Sequence, residues 1–162
     1  LAGQPRVLIA DEPTSALDTV TQSRVLDLLD RLVDDHGLGL LLISHDLAIV
    51  EGMVDRVHIM YKGRIVEEGP AEPVFSAPIH PYTRMLLASR PGKRSAAGNE
   101  PYTGDIHSTR PSETGCRFRS RCPDAVTPCA ENEPELGEIG RGRRARCPIS
   151  IAAAREAHDG EL

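Results

Sequence analysis

The chain has 162 residues, enough for one ordinary domain or a small domain with an appendage, and 40% of them are apolar, so a packed core is expected rather than wholesale disorder. Twenty-four acidic against 19 basic residues leave a net charge of −5, which gives no global basic field to attract DNA, RNA or an anionic membrane. Two Phe, three Tyr and no Trp make a poor stacking platform for single strands, and the longest aliphatic run, Leu38 to Ile43, is far too short to span a bilayer.

Residues 1 to about 70 alternate apolar strands with an amphipathic helix. Val7-Leu8-Ile9-Ala10 reads as a short buried strand ending in two acids. Val25, Leu28, Leu29, Leu32 and Val33 fall on one helical face, with Thr19 and Gln22 fitting a capping box and Gly37 suiting the exit. Leu38 to Ile43 is expected to be a parallel strand covered on both faces, which makes a right-handed strand–helix–strand crossover. A second short helix is expected after Asp46. Residues 56–61 and 64–67 flank Lys62-Gly63, a hairpin turn. Residues 71–94 read as helical with Pro punctuation, Pro81 sitting in a first turn. Residues 95–115 are rich in Gly, Ser, Thr and Pro and read as a linker. Residues 116–147 hold all four Cys and show little periodicity, so this segment needs a staple to keep one shape. Ile149 to His158 suits a short helix. The chain opens on Leu1 rather than Met and reads from its first residues like the middle of a domain, so a fragment is expected.

Asp11 and Glu12 follow a buried strand, and the C-terminal ends of parallel strands are where α/β sheets place ligands. One carboxylate there suits Mg²⁺ and its neighbour suits polarising a water. Two acids alone read equally as a solvated strand end. The longer stretch Leu8 to Asp18, with Asp11-Glu12-Pro13-Thr14-Ser15-Ala16-Leu17-Asp18 at its heart, resembles the Walker B and D-loop segment of the ATP-binding-cassette (ABC) ATPases. Leu41-Leu42-Ile43-Ser44-His45-Asp46 resembles the switch-histidine motif of the same family, again at a strand end. The resemblance covers roughly residues 1–70. It implies that Asp11 coordinates Mg²⁺, that Glu12 is the general base and that His45 contacts the γ-phosphate of ATP. It also implies that Ser15 and Asp18 lie in a loop reaching toward a partner ATPase subunit. Ser44, His45 and Asp46 are not read as a hydrolase triad, because consecutive residues rarely converge on one substrate atom.

No G-x-x-x-x-G-K-[ST] loop is present: Gly92-Lys93 is followed by Arg94, and Leu87 stands in place of the first Gly. The family's glutamine loop and Leu-Ser-Gly-Gly signature are absent too. The stretch alone is therefore expected to bind ATP poorly and to be inactive.

The tail narrows the family. Pro78-Ile79-His80-Pro81-Tyr82-Thr83, then Gly104-Asp105-Ile106, Gly115-Cys116-Arg117-Phe118 and Arg121-Cys122-Pro123, resemble in order the C-terminal part of oligopeptide and dipeptide importer ATPases, whose substrates include dipeptides, oligopeptides and nickel. The implied fold is α/β: the C-terminal half of a P-loop ABC-type nucleotide-binding domain over 1–70, a helical connector over 71–94, and a linker with a loop-rich Cys₄ extension over 95–162. The implied partners are a second ABC ATPase subunit, membrane permease subunits and, indirectly, an extracytoplasmic solute-binding protein, with no nucleic acid. The implied place is the cytoplasmic face of the bacterial plasma membrane.

Cys116, Cys122, Cys129 and Cys147 are separated by five, six and seventeen residues. Disulfides, structural zinc and an iron–sulfur cluster all remain open on spacing: disulfides need an oxidising compartment, zinc ribbons favour tighter knuckles, and neither ferredoxin pattern matches. The importer resemblance implies a [4Fe-4S] cluster, with Zn²⁺ the alternative. Arg117, Arg119, Arg121, Arg143, Arg144 and Arg146 suit either charge compensation of thiolates or a solvated rim. Two rival readings stand: a nucleic-acid-linked ABC ATPase with a zinc module, and a catalytically inert metal-binding regulatory fragment. The first calls for a basic groove and tight Cys pairs, which the sequence lacks; the second sits poorly with an intact Glu12 and His45.

Overall fold

The computed structural model describes residues 3, 5–90 and 114–159, the last six by backbone alone. Most of the linker expected over 95–115, with Gly104-Asp105-Ile106, lies outside the described residues, as does Gly92-Lys93-Arg94. The chain is mixed α/β and divides into two compact units, Leu1–Val54 and Asp55–Leu162.

In the first unit, β1 (Val7–Asp11), α1 (Thr19–His36), β2 (Gly39–Ile43) and α2 (Leu47–Met53) follow the expected order. β1 and β2 pair in parallel, from Val7 opposite Gly39 to Asp11 opposite Ile43. The helix start differs from the capping box centred on Thr19. Asp18 is the cap, accepting from the Val20 and Thr21 amides at 3.0 and 3.1 Å. A carboxylate there also meets the positive end of the helix dipole, which a Thr hydroxyl does not exploit. Gly37 ends α1 in the left-handed region, φ 61°, its amide returning to the Val33 carbonyl. Coverage of β2 on both faces is not seen among the described residues. Val7, Ile9, Leu41 and Ile43 are exposed on one face of the pair, and α1 buries no residue fully. A parallel pair is sealed only when helices or further strands lie on both faces.

The second unit opens with β3 (Arg56–Tyr61) and β4 (Arg64–Pro70), then α3 (Ala71–Ser76) and α4 (Pro81–Ala88). Lys62 and Gly63 both take positive φ, 44° and 76°, as a two-residue hairpin turn matched to strand twist requires. Along β3, Val57, Ile59 and Tyr61 point inward and Arg56, His58 and Met60 outward. After a 3₁₀ turn at Arg119–Arg121 come α5 (Pro128–Glu131), β5 (Gly137–Gly140), β6 (Arg143–Ala145) and α6 (Pro148–Asp159). The tail is thus less loop-rich than its sequence suggests. β5 and β6 form a second hairpin, turning on Arg141 and Gly142 at φ 53° and 70°, and β6 joins β4 in an antiparallel sheet of order β3-β4-β6-β5. Strands of four and three residues made of Gly, Glu, Ile, Arg and Ala leave no hydrophobic alternation to detect.

Val57, Ile59, Val66, Val74, Ala145 and Phe118 form the core of this unit. Phe118 is 1% exposed, a burial worth on the order of 2–3 kcal/mol. It meets Tyr61 edge-on at 5.2 Å and Tyr82 at 5.6 Å, so it ties the tail to both β3 and α4. No helix among the described residues is long and apolar enough to cross a membrane.

Candidate functional site

The carboxylate of Glu12 and the ring of His45 come together at the ends of β1 and β2, though they stand 33 positions apart in the sequence. The strand register does this: the Glu12 amide donates to the Ile43 carbonyl at 2.9 Å, which places Glu12 beside the loop that begins at Ser44. Glu12 Oε1 then accepts from the His45 backbone amide at 3.1 Å and meets His45 Nδ1 at 2.8 Å. The hydrogen bond that Glu12 accepts from the ring, with its negative charge, raises the His45 pKa above 6.5. Glu12 has φ +46°, a left-handed conformation costly to a residue with a side chain. Its carbonyl is held in turn by the amide and hydroxyl of Ser15, at 3.3 and 3.1 Å. The turn after β1 therefore holds a strained residue whose carboxylate is aimed at the end of the neighbouring strand.

Asp11 is exposed at the last position of β1, opposite Ile43. Asp18 is engaged as the α1 cap: besides the two amides it accepts from the Thr21 hydroxyl at 2.7 Å, and that bond leads the causes holding its carboxyl below the usual range. Ser44 accepts from the Asp46 amide, and Asp46 caps α2 through the Ala48 amide, so these two neighbours of His45 serve the turn.

The second site belongs to the other unit. Cys116, Cys122, Cys129 and Cys147 are free thiols lining a single cavity. As packed its volume is about 10 Å³, room for one water-sized body. Burial pushes Cys122 up to about 11, with Asp124, Cys147 and Cys116 adding to it. Burial raises Cys116 likewise, and repulsion from Cys129 and Cys147 adds to that. Gly115 makes the approach possible. At φ +80° it brings the Cys116 amide to the Cys129 carbonyl at 2.8 Å, and a Cβ on it would lie 2.4 Å from that oxygen. Among the described residues, however, no three or more His, Cys, Asp or Glu stand in a ready ligand cluster for a metal ion. The expected metal therefore finds four converging soft donors without a closed site.

The arginines divide. Arg143 pairs with Glu67, Arg144 with Glu68 and Arg117 with Glu133. Arg119 and Arg146 line the cysteine cavity, Arg146 also donating to the Ile65 and Pro134 carbonyls.

Two residues of this site escaped the sequence reading. Glu67 is fully buried and accepts from the Ile79 amide at 3.0 Å, the His80 amide at 2.8 Å and Arg143 Nη2 at 2.9 Å. His80 is the N-cap of α4: its Nδ1 accepts from the Tyr82 amide at 3.0 Å, and the residue lines the cysteine cavity. Burial, with the Arg84 charge, lowers the His80 pKa to about 4. The only sequence signal for either was the His-Pro-Tyr triplet itself, since a Glu within a strand pattern reads as an outward residue.

Residues 66–129 match the family described as "Oligopeptide/dipeptide transporter, C-terminal region". A Brucella abortus protein named as a peptide import ATP-binding protein is 41% identical over 149 residues, covering 91% of this chain and 45% of its own length. A peptide ABC transporter ATP-binding protein of Sinorhizobium fredii is 42% identical over 156 residues, covering 95% and 44%. A Brucella ovis relative named for peptide import is 44% identical over 146 residues, covering 89% and 46%. The chain thus spans a little under half the length of these curated relatives. Among solved structures, CbiO1 from Clostridium perfringens, part of the ABC transporter complex CbiONQ, is 30% identical with a TM-score of 0.42, covering 52% of this chain and 32% of that one. Residues 66–129 are thus similar to the C-terminal region of oligopeptide/dipeptide transporters, and over most of its length the chain is similar to ATP-binding proteins named for peptide import.

Proposed function

We propose that the chain is the C-terminal part of the ATP-binding subunit of an ABC importer for peptides, coupling ATP hydrolysis to solute uptake. The observation that carries this is the Glu12–His45 pair, with its 2.8 Å contact and its strained glutamate at the ends of two parallel strands. In this reading Asp11 would hold Mg²⁺, which would supply positive charge against the phosphates. Glu12 orients the hydrolytic water and takes its proton. His45 keeps the Glu12 carboxylate in place through two hydrogen bonds and meets the γ-phosphate. Ser15 and Asp18 belong to the loop facing a second ATPase subunit, Asp18 fixing where α1 begins. Residues 1–70 are the hydrolytic half of the nucleotide domain, 71–94 the connector and 95–162 the Cys₄ extension. The partners are the second ATPase subunit, membrane permease subunits and, through them, a solute-binding protein, with the subunit peripheral to the cytoplasmic face of the membrane.

The extension, in this reading, holds a thiolate-bound metal group on Cys116, Cys122, Cys129 and Cys147: a [4Fe-4S] cluster by family resemblance, Zn²⁺ as the alternative. The convergence of four free thiols on one cavity supports it, as do Arg119 and Arg146 in the cavity wall, which suit thiolate charge. The group would staple the tail.

The test of the ATPase reading places Glu12→Gln in the full-length subunit assembled with its partners. Hydrolysis is expected to fall by about 10²–10⁴-fold, the usual weight of a general base, while ATP binding persists. Undiminished hydrolysis overturns the assignment of Glu12.

A further inference from the structure

Three non-glycine residues take positive φ among the described residues, and two of them, Lys62 and Arg141, sit in hairpin turns that call for it. Glu12, at φ 46°, has no hairpin to justify it. Glycine would accept this conformation freely, but the position carries the carboxylate that meets His45, so the strain has to be held by neighbours. Pro13 follows and disfavours the right-handed region for Glu12, so an unheld Glu12 would relax to extended backbone and turn its Cβ in a new direction. Two sets of bonds oppose this. Before the α-carbon, the Glu12 amide donates to the Ile43 carbonyl at 2.9 Å, which fixes the preceding peptide plane. After it, the Glu12 carbonyl accepts from the Ser15 amide at 3.3 Å and from the Ser15 hydroxyl at 3.1 Å, which fix the following plane. Planes held on both sides leave φ and ψ little freedom. The hydroxyl is the nearer of the two Ser15 donors.

We infer that Ser15 is a positioning residue for hydrolysis: its hydroxyl keeps the Glu12 backbone in the left-handed conformation from which the carboxylate reaches the His45 amide and ring. This rests on the reading of Glu12 as general base, and it gives Ser15 a task within its own subunit beyond its place in a loop facing a second one. The effect passes through Glu12. A single oxygen, Oε1, accepts from the His45 amide at 3.1 Å and meets Nδ1 at 2.8 Å, so a turn of the Glu12 backbone displaces both contacts at once. A general base works only within hydrogen-bond reach of its proton, so a displaced carboxylate slows the chemical step without touching how nucleotide is bound.

The test is made in the full-length subunit assembled with its partners. Ser15→Ala is expected to lower kcat for ATP hydrolysis about 3–10-fold, the weight of one hydrogen bond, with KM for ATP unchanged, and Ser15→Thr, which keeps the hydroxyl, is expected to restore it. In a Glu12→Gln background Ser15→Ala is expected to cost nothing further, because the carboxylate that it positions is gone. A full additional loss in that background, as a serine acting at the second subunit would give, overturns the inference, and so does an unchanged kcat in Ser15→Ala. Undiminished hydrolysis in Glu12→Gln alone overturns the general-base reading on which the inference rests. A geometric readout needs no ATP: hydrogen exchange of the His45 amide, measured against the amides of β2, is expected to quicken about 3–10-fold in Ser15→Ala. An unchanged exchange rate overturns the inference while leaving the general-base reading intact.

Discussion

Glu67→Gln is the substitution from which the second unit should suffer most. The carboxylate is fully buried, Arg143 has a side chain only 11% exposed, and the two meet at 2.9 Å. Oε1 accepts from Arg143 and the Ile79 amide, while Oε2 accepts from the Ile79 and His80 amides. A glutamine presents one oxygen and one NH₂. If the NH₂ takes the Oε1 position it faces the Arg143 guanidinium; if it takes the Oε2 position it faces the His80 amide. Either choice sets donor against donor and leaves Arg143 without its counter-charge. Breaking one side of a buried pair costs about 3–5 kcal/mol, against about 0–1 for an exposed pair. At a urea slope near 2 kcal/mol/M, that is a midpoint lower by about 1.5–2.5 M. Near-ultraviolet circular dichroism of the Tyr61–Tyr82–Phe118 cluster follows this unit, since the chain has no Trp. Arg143→Met and the double variant complete a cycle, and the pair should show coupling of about 2 kcal/mol or more, toward the upper range for residues in contact. A midpoint shift under about 0.5 M, the scale of a surface pair, refutes the reasoning.

Three further outcomes are expected. By NMR titration His45 should have a pKa above 6.5, and Glu12→Gln should bring it back toward 6.5. Because the folded value is raised, the pair contributes fully below pH 6.5 and fades as pH climbs through that raised value, so the cost of Glu12→Gln should be greatest in acid. Gly115→Ala puts a Cβ 2.4 Å from the Cys129 carbonyl at φ +80°; a loss of about 1–3 kcal/mol is expected, with Cys116 and Cys129 reacting faster with a thiol reagent, and unchanged reactivity counts against the packing described. In hydrogen exchange, β1 and β2 amides should exchange before those of β4, since Val7, Ile9, Leu41 and Ile43 are exposed whereas Val66, Glu67 and Glu68 are buried.

The sequence foretold the elements whose signals are local. The Gly37 exit, the Lys62-Gly63 turn and Pro81 at the head of a helix each follow from one residue's permitted backbone angles, and all three are observed. The Glu12–His45 pair was foretold only as two separate motif positions; their contact depends on the register of β1 against β2, which no single segment encodes. The cap of α1 moved by one residue because Thr19 and Asp18 are both competent caps and the carboxylate also answers the helix dipole. β5 and β6 were missed because they are too short to have a period, and what holds β6 in place is polar.

That polar lock has a simple logic. Glu67 and Glu68 are adjacent, so their side chains leave β4 on opposite faces, and Arg143 and Arg144 do the same from β6. With Glu68 opposite Arg144 and Glu67 opposite Ala145, Arg143 reaches Glu67 on one face and Arg144 reaches Glu68 on the other. A slip of one residue would exchange the faces and leave two buried carboxylates without cations, so charge does here what hydrophobic alternation does in longer strands. Gly69 belongs to the same lock, because a Cβ there would stand 2.7 Å from Arg143 Cγ and push the guanidinium off Glu67. Holding β6 in this register also sets Cys147, two residues past its end, at the cavity, while the same Glu67 holds the backbone of His80, another residue of its lining. One buried carboxylate thus positions both the last cysteine and the lining histidine, and for that reason damage at Glu67 should disturb the cysteine cavity although Glu67 is not among its lining residues.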